Sequence, residues 1–344
     1  MPRDTILITS PLEAEFVERI RAIDPVALEV LHEPDLLPPT RYRGDHKGAP
    51  FTRTAVQAAR WDALLARATI TWDIPADADL PKARRLRWIQ ATSTGVGQHI
   101  RRLGLQDSDI LVTTARGSHA QPLAEFVFMA LLAYWRGLAH LQAEQRAHRW
   151  ERYCVQEVAG RTLVILGAGD LARGSARIAK ALDMQVVAVA RDAGKSREHN
   201  HLFDEVVPPS ALHAALARAD ALLLTVPHTP ETEGMIDAAA LAALPRGAAL
   251  VNIARGQILD EAALIAALRS GHLGFAALDV TLVEPLPPDS PLWDMPNVLI
   301  SPHSASTPPS ENDRITGIFL HNLRRWLAGD LAGMRNVLDK QLMY

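Results

Sequence analysis

The chain has 344 residues, 48% hydrophobic and 22% charged, which is the composition of an ordinary globular protein with length for two domains or one large one. A formal net charge of -3 offers no basic field to nucleic acid or an anionic membrane, and the single cysteine, Cys154, excludes a disulfide framework and a thiolate metal site, so no metal is expected. The opening MPRDTILITSPLE has no signal-peptide pattern, and no apolar run reaches the ~18 residues of a membrane span, so a cytoplasmic enzyme or binding protein is expected.

Residues 5–9 (TILIT) read as a short buried strand and 11–22 as a helix. Residues 34–50, rich in Pro, Gly, Arg and His without periodicity, read as a long surface loop or insertion. Strands are expected at 68–72 (ATITW) and 87–91 (RWIQA). From 122 to 138 apolar residues dominate most helical faces, the mark of a helix buried in a core or a subunit contact, and a polar helical stretch follows at 140–152. Then come a strand at 161–166 (RTLVIL), a glycine turn running into a helix at 167–182, and a strand at 185–190 (QVVAVA). Further strands are expected at 221–226, 248–253, 274–279 and 297–301, with helical stretches between most of them and an amphipathic helix at 312–328. This alternation predicts a Rossmann-type doubly wound parallel sheet in 118–307. Residues 1–117 and 308–344 are assigned to a second, discontinuous α/β domain.

The glycine turn is Gly167-Ala168-Gly169-Asp170-Leu171-Ala172, of the form GxGxxA, between a strand and a helix. The first glycine permits a tight turn, the second lets a pyrophosphate approach the backbone, and the small third residue lets the helix sit close to the strand. The helix N-terminus then offers N–H groups and positive dipole to phosphate. Asp170 puts an acid beside that site, which weakens binding unless it turns to solvent or caps the helix. The end of the second strand normally carries the acid that binds the ribose of NAD; here it reads Val189-Ala190-Arg191. Arg191, with Lys195 and Arg197 behind it, suits a 2′-phosphate, so NADP is the expected cofactor with NAD still open; the alternative for this stretch is a solvated basic turn.

Three later segments place charged residues after predicted parallel strands, where open α/β sheets bind ligands: Val251-Asn252-Ile253-Ala254-Arg255-Gly256, Ala277-Leu278-Asp279-Val280 leading to Glu284-Pro285, and Ser301-Pro302-His303. Hydride transfer to a 2-oxo acid needs a group that binds the carboxylate and polarises the carbonyl, and the planar fork of Arg255 suits both tasks. It also needs a proton donor titrating near neutrality, for which His303 is the candidate. Glu284 would orient the imidazole through its other nitrogen and raise its pKa.

In their order these segments resemble the signatures of the D-isomer-specific 2-hydroxyacid dehydrogenase family. So do Val226-Pro227-His228-Thr229-Pro230-Glu231-Thr232, Pro291-Leu292-Trp293, and Leu86-Arg87-Trp88-Ile89-Gln90 with Ser93-Thr94-Gly95-Val96; the likeness covers roughly residues 85–325. It implies catalytic Arg255, Glu284 and His303, and substrate-carboxylate contacts from the amides of Thr94, Gly95 and Val96. It implies cofactor contacts from Gly167, Gly169, Asp170, Leu171, Arg191, Thr225, Pro227, Ile253, Ala254 and Asp279, the last toward the nicotinamide carboxamide. It further implies a flavodoxin-like second domain, a homodimer formed through the long apolar helix, and a substrate such as glyoxylate or hydroxypyruvate. A non-catalytic dinucleotide sensor, like the transcriptional corepressors that resemble this family, is the competing reading, because those proteins keep the same trio.

Overall fold

In the computed structural model, which describes residues 3–191 and 201–342, the chain forms two compact units. One runs up to Ser118 and resumes at Thr307; the other is His119–Ser306. Lys195 and Arg197 lie outside the described residues.

The first unit begins with β1 (Asp4–Ile8), α1 (Ala14–Arg21), β2 (Leu28–Leu31), α2 (Ala55–Leu65), β3 (Ile70–Trp72), β4 (Trp88–Gln90), α3 (Gly97–Arg102) and β5 (Leu111–Thr113). Its strands pair parallel in the order β2-β1-β3-β4-β5, the flavodoxin-like winding, with Ile6 opposite both Val30 and Ile70. β2 and β5 add to the expected strands; each is a short edge strand with too few apolar residues to show a period. α2 starts at a capping box in which Thr54 accepts from the Gln57 amide and Gln57 from that of Thr54.

The second unit holds α4 (Ala120–Trp135), α5 (Leu138–Arg146), β6 (Thr162–Leu166), α6 (Asp170–Ala181), β7 (Gln185–Val189), β8 (Glu205–Val207), α7 (Leu212–Leu216) and β9 (Ala221–Leu224). It continues through α8 (Ala238–Ala243), β10 (Ala248–Asn252), α9 (Glu261–Arg269), β11 (Leu273–Leu278) and β12 (Val298–Ile300). The parallel order β12-β11-β10-β9-β6-β7-β8 reverses direction between β6 and β9, the switch point where this topology opens a crevice. Both faces of the sheet are buried, so its strands read as apolar runs: Val164 and Leu166 pack among the residues of α7, α8 and α9, and Leu163 and Ile165 among those of α4 and α6. The polar stretch at 140–152 is helical only to Arg146; no regular element follows until β6. α4 stops before Gly137, whose φ of 68° suits glycine. Among the described residues no single helix is long and apolar enough to cross a membrane.

The last helix, α10 (Glu311–Leu327), completes the first unit. Its Phe319 stands with ring centroids 5.7 Å from Trp72 and 5.1 Å from Trp88, so the amphipathic pattern of this helix closes the core over β3 and β4.

The aperiodic loop at 34–50 is built around a buried carboxylate. Asp45, only 2% exposed, accepts from Arg41 Nε at 2.7 Å, from Arg41 Nη2 at 2.8 Å and from the amides of Arg41, Lys47 and Gly48. The Arg41 hydrogen bonds first, and the backbone amides after them, hold its carboxyl well below the usual range against the opposing effect of burial. A carboxyl depressed in the folded state contributes stability above its unfolded pKa of ~4 and loses it as pH falls. Asp45→Asn is therefore expected to cost about 1–3 kcal/mol near neutrality. Thermal melts at decreasing pH should show the gap between the two proteins narrowing toward about pH 3; a gap constant with pH would remove the charge of Asp45 from the stability of the loop.

Candidate active site

The glycine turn follows β6 at the switch point. Gly167 has φ 110°, and a Cβ there would come within 2.6 Å of Thr225 Oγ1. That hydroxyl donates to the Leu166 carbonyl at 2.7 Å, so the ends of β6 and β9 are stitched together at the one position only glycine fills. Nothing lies within 4 Å of the corresponding point on Gly169, which leaves its backbone open to a pyrophosphate at the start of α6. Ala172 is fully buried, and Gly174 brings α6 against α4: a Cβ there would sit 2.9 Å from the Ala120 carbonyl. The hexapeptide alone does not show this second close approach. Asp170 caps nothing with its side chain; it pairs with Arg173, which also donates to the Ala168 carbonyl at 3.2 Å, while Leu171 packs against the core. The acid beside the phosphate position is thus compensated within its own turn.

β7 ends at Val189, and the next amide, of Ala190, donates to Val207 at 2.9 Å. Arg191 is exposed, and Pro227 is exposed beyond β9. Nearby, the Glu231 carboxyl lies below its ordinary range, held there mainly by the Thr229 hydroxyl and its own backbone, with the charge of Arg191 adding to both.

β10 ends in Asn252, whose carboxamide closes the following turn: Oδ1 accepts from the Ala254 amide and Nδ2 donates to the Arg255 carbonyl, both at 3.0 Å. Ile253 and Ala254 are each 4% exposed within that turn. At Gly256 a Cβ would lie 2.0 Å from the Thr281 carbonyl, so the turns after β10 and β11 touch backbone to backbone. This contact sets Arg255 beside the segment that carries Asp279 and Glu284. Burial pushes the guanidinium pKa down, and the carboxylates of Glu284 and Asp279 oppose that shift.

Asp279, 3% exposed, accepts at Oδ1 from Ser301 Oγ at 2.7 Å and from the amides of Ser304 and Ala305 at 3.0 Å; its carbonyl accepts from the His303 amide at 2.9 Å. The loop so held puts His303 at φ 53°, in the left-handed region. Glu284 accepts at Oε1 from the Thr281 amide at 3.2 Å and at Oε2 from His303 Nδ1 at 2.8 Å. Both side chains remain open to solvent, 45% for His303 and 39% for Glu284, and His303 Nε2 has no hydrogen bond among the described residues.

Arg255, Asp279, Glu284 and His303 thus come together at the carboxyl edge of one sheet. Asn252, Gly256, Thr281 and Ser301 position them and were not singled out from the sequence, although each lies in or beside a segment that was. Thr94, Gly95 and Val96 belong to the other unit, in the turn between β4 and α3; Gly95 is exposed, Val96 buried, and the Ala115 amide ties the turn down through the Ser93 carbonyl at 3.1 Å. Among the described residues no group of three or more His, Cys, Asp or Glu is placed to hold a metal ion.

Residues 128–305 match the model of the D-isomer specific 2-hydroxyacid dehydrogenase NAD binding domain, and the chain belongs to that family. It is 33% identical over 83% of its length to a D-3-phosphoglycerate dehydrogenase of Mycobacterium leprae, covering 53% of that protein. The chain thus spans about half the length of the mycobacterial relatives it matches. It is similar to the crystal structure of a D-isomer specific 2-hydroxyacid dehydrogenase family protein from Aeromonas salmonicida, at 30% identity and a TM-score of 0.80 over 98% of this chain and 99% of the other. It is also similar to an NADPH-dependent glyoxylate/hydroxypyruvate reductase from Sinorhizobium meliloti in complex with NADP and sulfate, at 25% identity and a TM-score of 0.77 over 99% and 100% of the two chains.

Proposed function

We propose that this protein is an oxidoreductase that uses NADPH to reduce a small 2-oxo acid of the glyoxylate or hydroxypyruvate type to the 2-hydroxy acid, and runs the reverse reaction when the alcohol is in excess. The observation that carries this reading is the 2.8 Å hydrogen bond from His303 Nδ1 to Glu284 Oε2, which fixes the tautomer and directs Nε2 away from its partner.

The open backbone at Gly169 and the start of α6 suit a dinucleotide. Bound there, its nicotinamide supplies the hydride. Arg255 pairs with the substrate carboxylate and draws electron density from the carbonyl oxygen. As the hydride reaches carbon, His303 Nε2 gives its proton to that oxygen, and the hydroxyl forms. Glu284 holds the imidazole in orientation, and in the reverse direction its carboxylate pairs with the imidazolium that results when His303 takes the hydroxyl proton. Asp279 keeps the His303 loop in place with one carboxylate oxygen and is assigned the nicotinamide carboxamide with the other. The contacts to the substrate carboxylate that the family resemblance gives Thr94, Gly95 and Val96 form part of the same reading.

His303→Ala is expected to lower kcat about 10²–10⁴-fold, the span for losing a general acid, with cofactor affinity nearly kept. Glu284→Gln should shift the pH–rate profile toward lower pH, because the imidazolium loses its charged partner. Assays with glyoxylate and hydroxypyruvate decide the matter: unchanged turnover in the histidine variant removes His303 from the mechanism, and a chain that binds NADPH but turns over no 2-oxo acid is the dinucleotide sensor instead.

The cofactor preference rests on the end of β7. Ala190 offers no carboxylate to a ribose diol, while the exposed guanidinium of Arg191 suits a 2′-phosphate. The expected result is a higher kcat/KM with NADPH than with NADH at fixed salt, erased or reversed by Ala190→Asp with Arg191→Ser. Equal values in the parent overturn it.

The same reading includes a homodimer in the cytoplasm, where the nicotinamide pool lies. None of the residues of α5 is buried; Leu138 and Leu141 are 45% and 47% exposed, Met129 on α4 is 53% exposed and Trp150 98%. A second copy of the chain covering these side chains would remove them from water. Sedimentation should show a dimer for the parent and monomer for Leu141→Glu; a parent that sediments as a monomer rejects the assignment.

A further inference from the structure

At the amino ends of three adjacent strands of the first unit lies a cavity of about 230 Å³ lined by Arg3, Asp4, Thr69, Arg85 and Arg87. Arg3 and Asp4 stand at the start of β1, Thr69 precedes β3, and Arg85 and Arg87 precede β4; β1, β3 and β4 are neighbours in the sheet. Substrates and nucleotides of open α/β sheets bind at the carboxyl ends of strands, so this cavity sits at the end of its sheet opposite to the one such ligands use.

Its chemistry is set by three arginines against one acid. The acid is already engaged on both oxygens. Asp4, 8% exposed, accepts at Oδ1 from Thr69 Oγ1 at 2.8 Å and from Arg87, and at Oδ2 from Trp326 Nε1 at 2.9 Å. The Arg87 guanidinium also lies 5.0 Å from the centroid of the Trp326 ring, a second contact that fixes it at the cavity wall. One arginine charge is therefore neutralised by Asp4, and two remain. Arg3 donates only to neutral carbonyls, those of Leu28 at 2.8 and 3.0 Å and of Pro25 at 3.0 Å. Arg85 makes no hydrogen bond or ion pair among the described residues. Two guanidinium charges that no acid of the cavity neutralises attract an anion with about two charges. The planar fork of Arg85 matches the paired oxygens of a phosphate better than a spherical halide, while Arg3, whose Nε and Nη2 are spent on carbonyls, offers its charge and its remaining Nη1.

We propose that this cavity is a second ligand site, distinct from the dehydrogenase site, that binds a phosphate dianion, either inorganic phosphate or the phosphate group of a small monoester. Arg85 and Arg3 supply the main contacts. Arg87, fixed between Asp4 and Trp326, shapes the wall.

Calorimetric titration of the full chain with inorganic phosphate and with glycerol 2-phosphate, each against sodium chloride at matched ionic strength, tests this. Saturable binding of at least one phosphate species is expected, weakened at least tenfold by Arg85→Ala and also by Arg3→Ala. Arg85 has no partner among the described residues to lose, so its variant should fold and melt like the parent. Phosphate taken up at the nucleotide or catalytic residues is the same in parent and Arg85→Ala and cancels when the two are compared for each ligand. Tighter binding of the monoester identifies a phosphorylated metabolite as the ligand, and equal or tighter binding of inorganic phosphate identifies the free ion. Affinities unchanged in Arg85→Ala, or heat that chloride reproduces, overturn the proposal.

Discussion

One buried carboxylate oxygen holds the candidate catalytic loop. Asp279 Oδ1 accepts hydrogen bonds from the Ser301 hydroxyl and from the amides of Ser304 and Ala305, and the carbonyl of the same residue accepts from the amide of His303. A carboxylate that is 3% exposed is costly to bury without hydrogen-bond donors, and three of them meet its Oδ1. In return the loop is over-determined, which is what keeps a histidine at φ 53°, a conformation that costs about 1–3 kcal/mol for most residues other than glycine. Without that anchor the imidazole would have no fixed position from which to meet Glu284.

The second constraint is the contact between two turns. Gly256 and the Thr281 carbonyl approach so closely that no side chain fits at 256, and Asn252 closes the turn that presents Arg255. The strands beneath are buried on both faces and paired in register, β10 to β11 and β11 to β12. Three neighbouring strands therefore deliver an arginine, a carboxylate and a histidine to one edge from a scaffold that cannot easily move. Small conformational freedom is left to side chains: Glu284 and His303 remain more than a third exposed, so solvent and ligand can reach them.

Six of the seven strands of the larger sheet were legible because burial on both faces writes them as apolar runs, and because the turn after β6 needs glycine where a Cβ would strike Thr225. The strands that escaped notice, β2, β5 and β8, lie at sheet edges and are three or four residues long. Their short length and half-exposed faces leave no period to read. α2 was not expected either, although its capping box, Thr54 with Gln57, stands in the sequence. Within the site, Arg255, Glu284 and His303 were legible as charged residues after parallel strands, reinforced by the order of the family's segments. What ties them together was not: that Asp279 anchors a loop more than 20 residues downstream is a matter of long-range hydrogen bonds, which leave no periodic trace in sequence.

The nucleotide end of the same sheet carries an electrostatic question that the local pairing resolves. Asp170 at the first residue of α6 places a negative charge where a pyrophosphate would sit, and unopposed it would cancel much of the helix's attraction for phosphate. Arg173 one turn later takes up that charge while also donating to the Ala168 carbonyl, so the pair is close to neutral and the amides of the turn retain their positive potential. A few residues past β9, Glu231 is a second acid, but it is exposed and screened by water, and its charge is steadied by Thr229 and its own backbone before Arg191 adds anything. The charge of Arg191 is one of the contributions that hold the Glu231 carboxyl low, so at this end of the sheet the two side chains oppose each other's charge. The acids of this end, which on charge alone argue against a phosphorylated nucleotide, are arranged so that neither presents an unopposed charge to one.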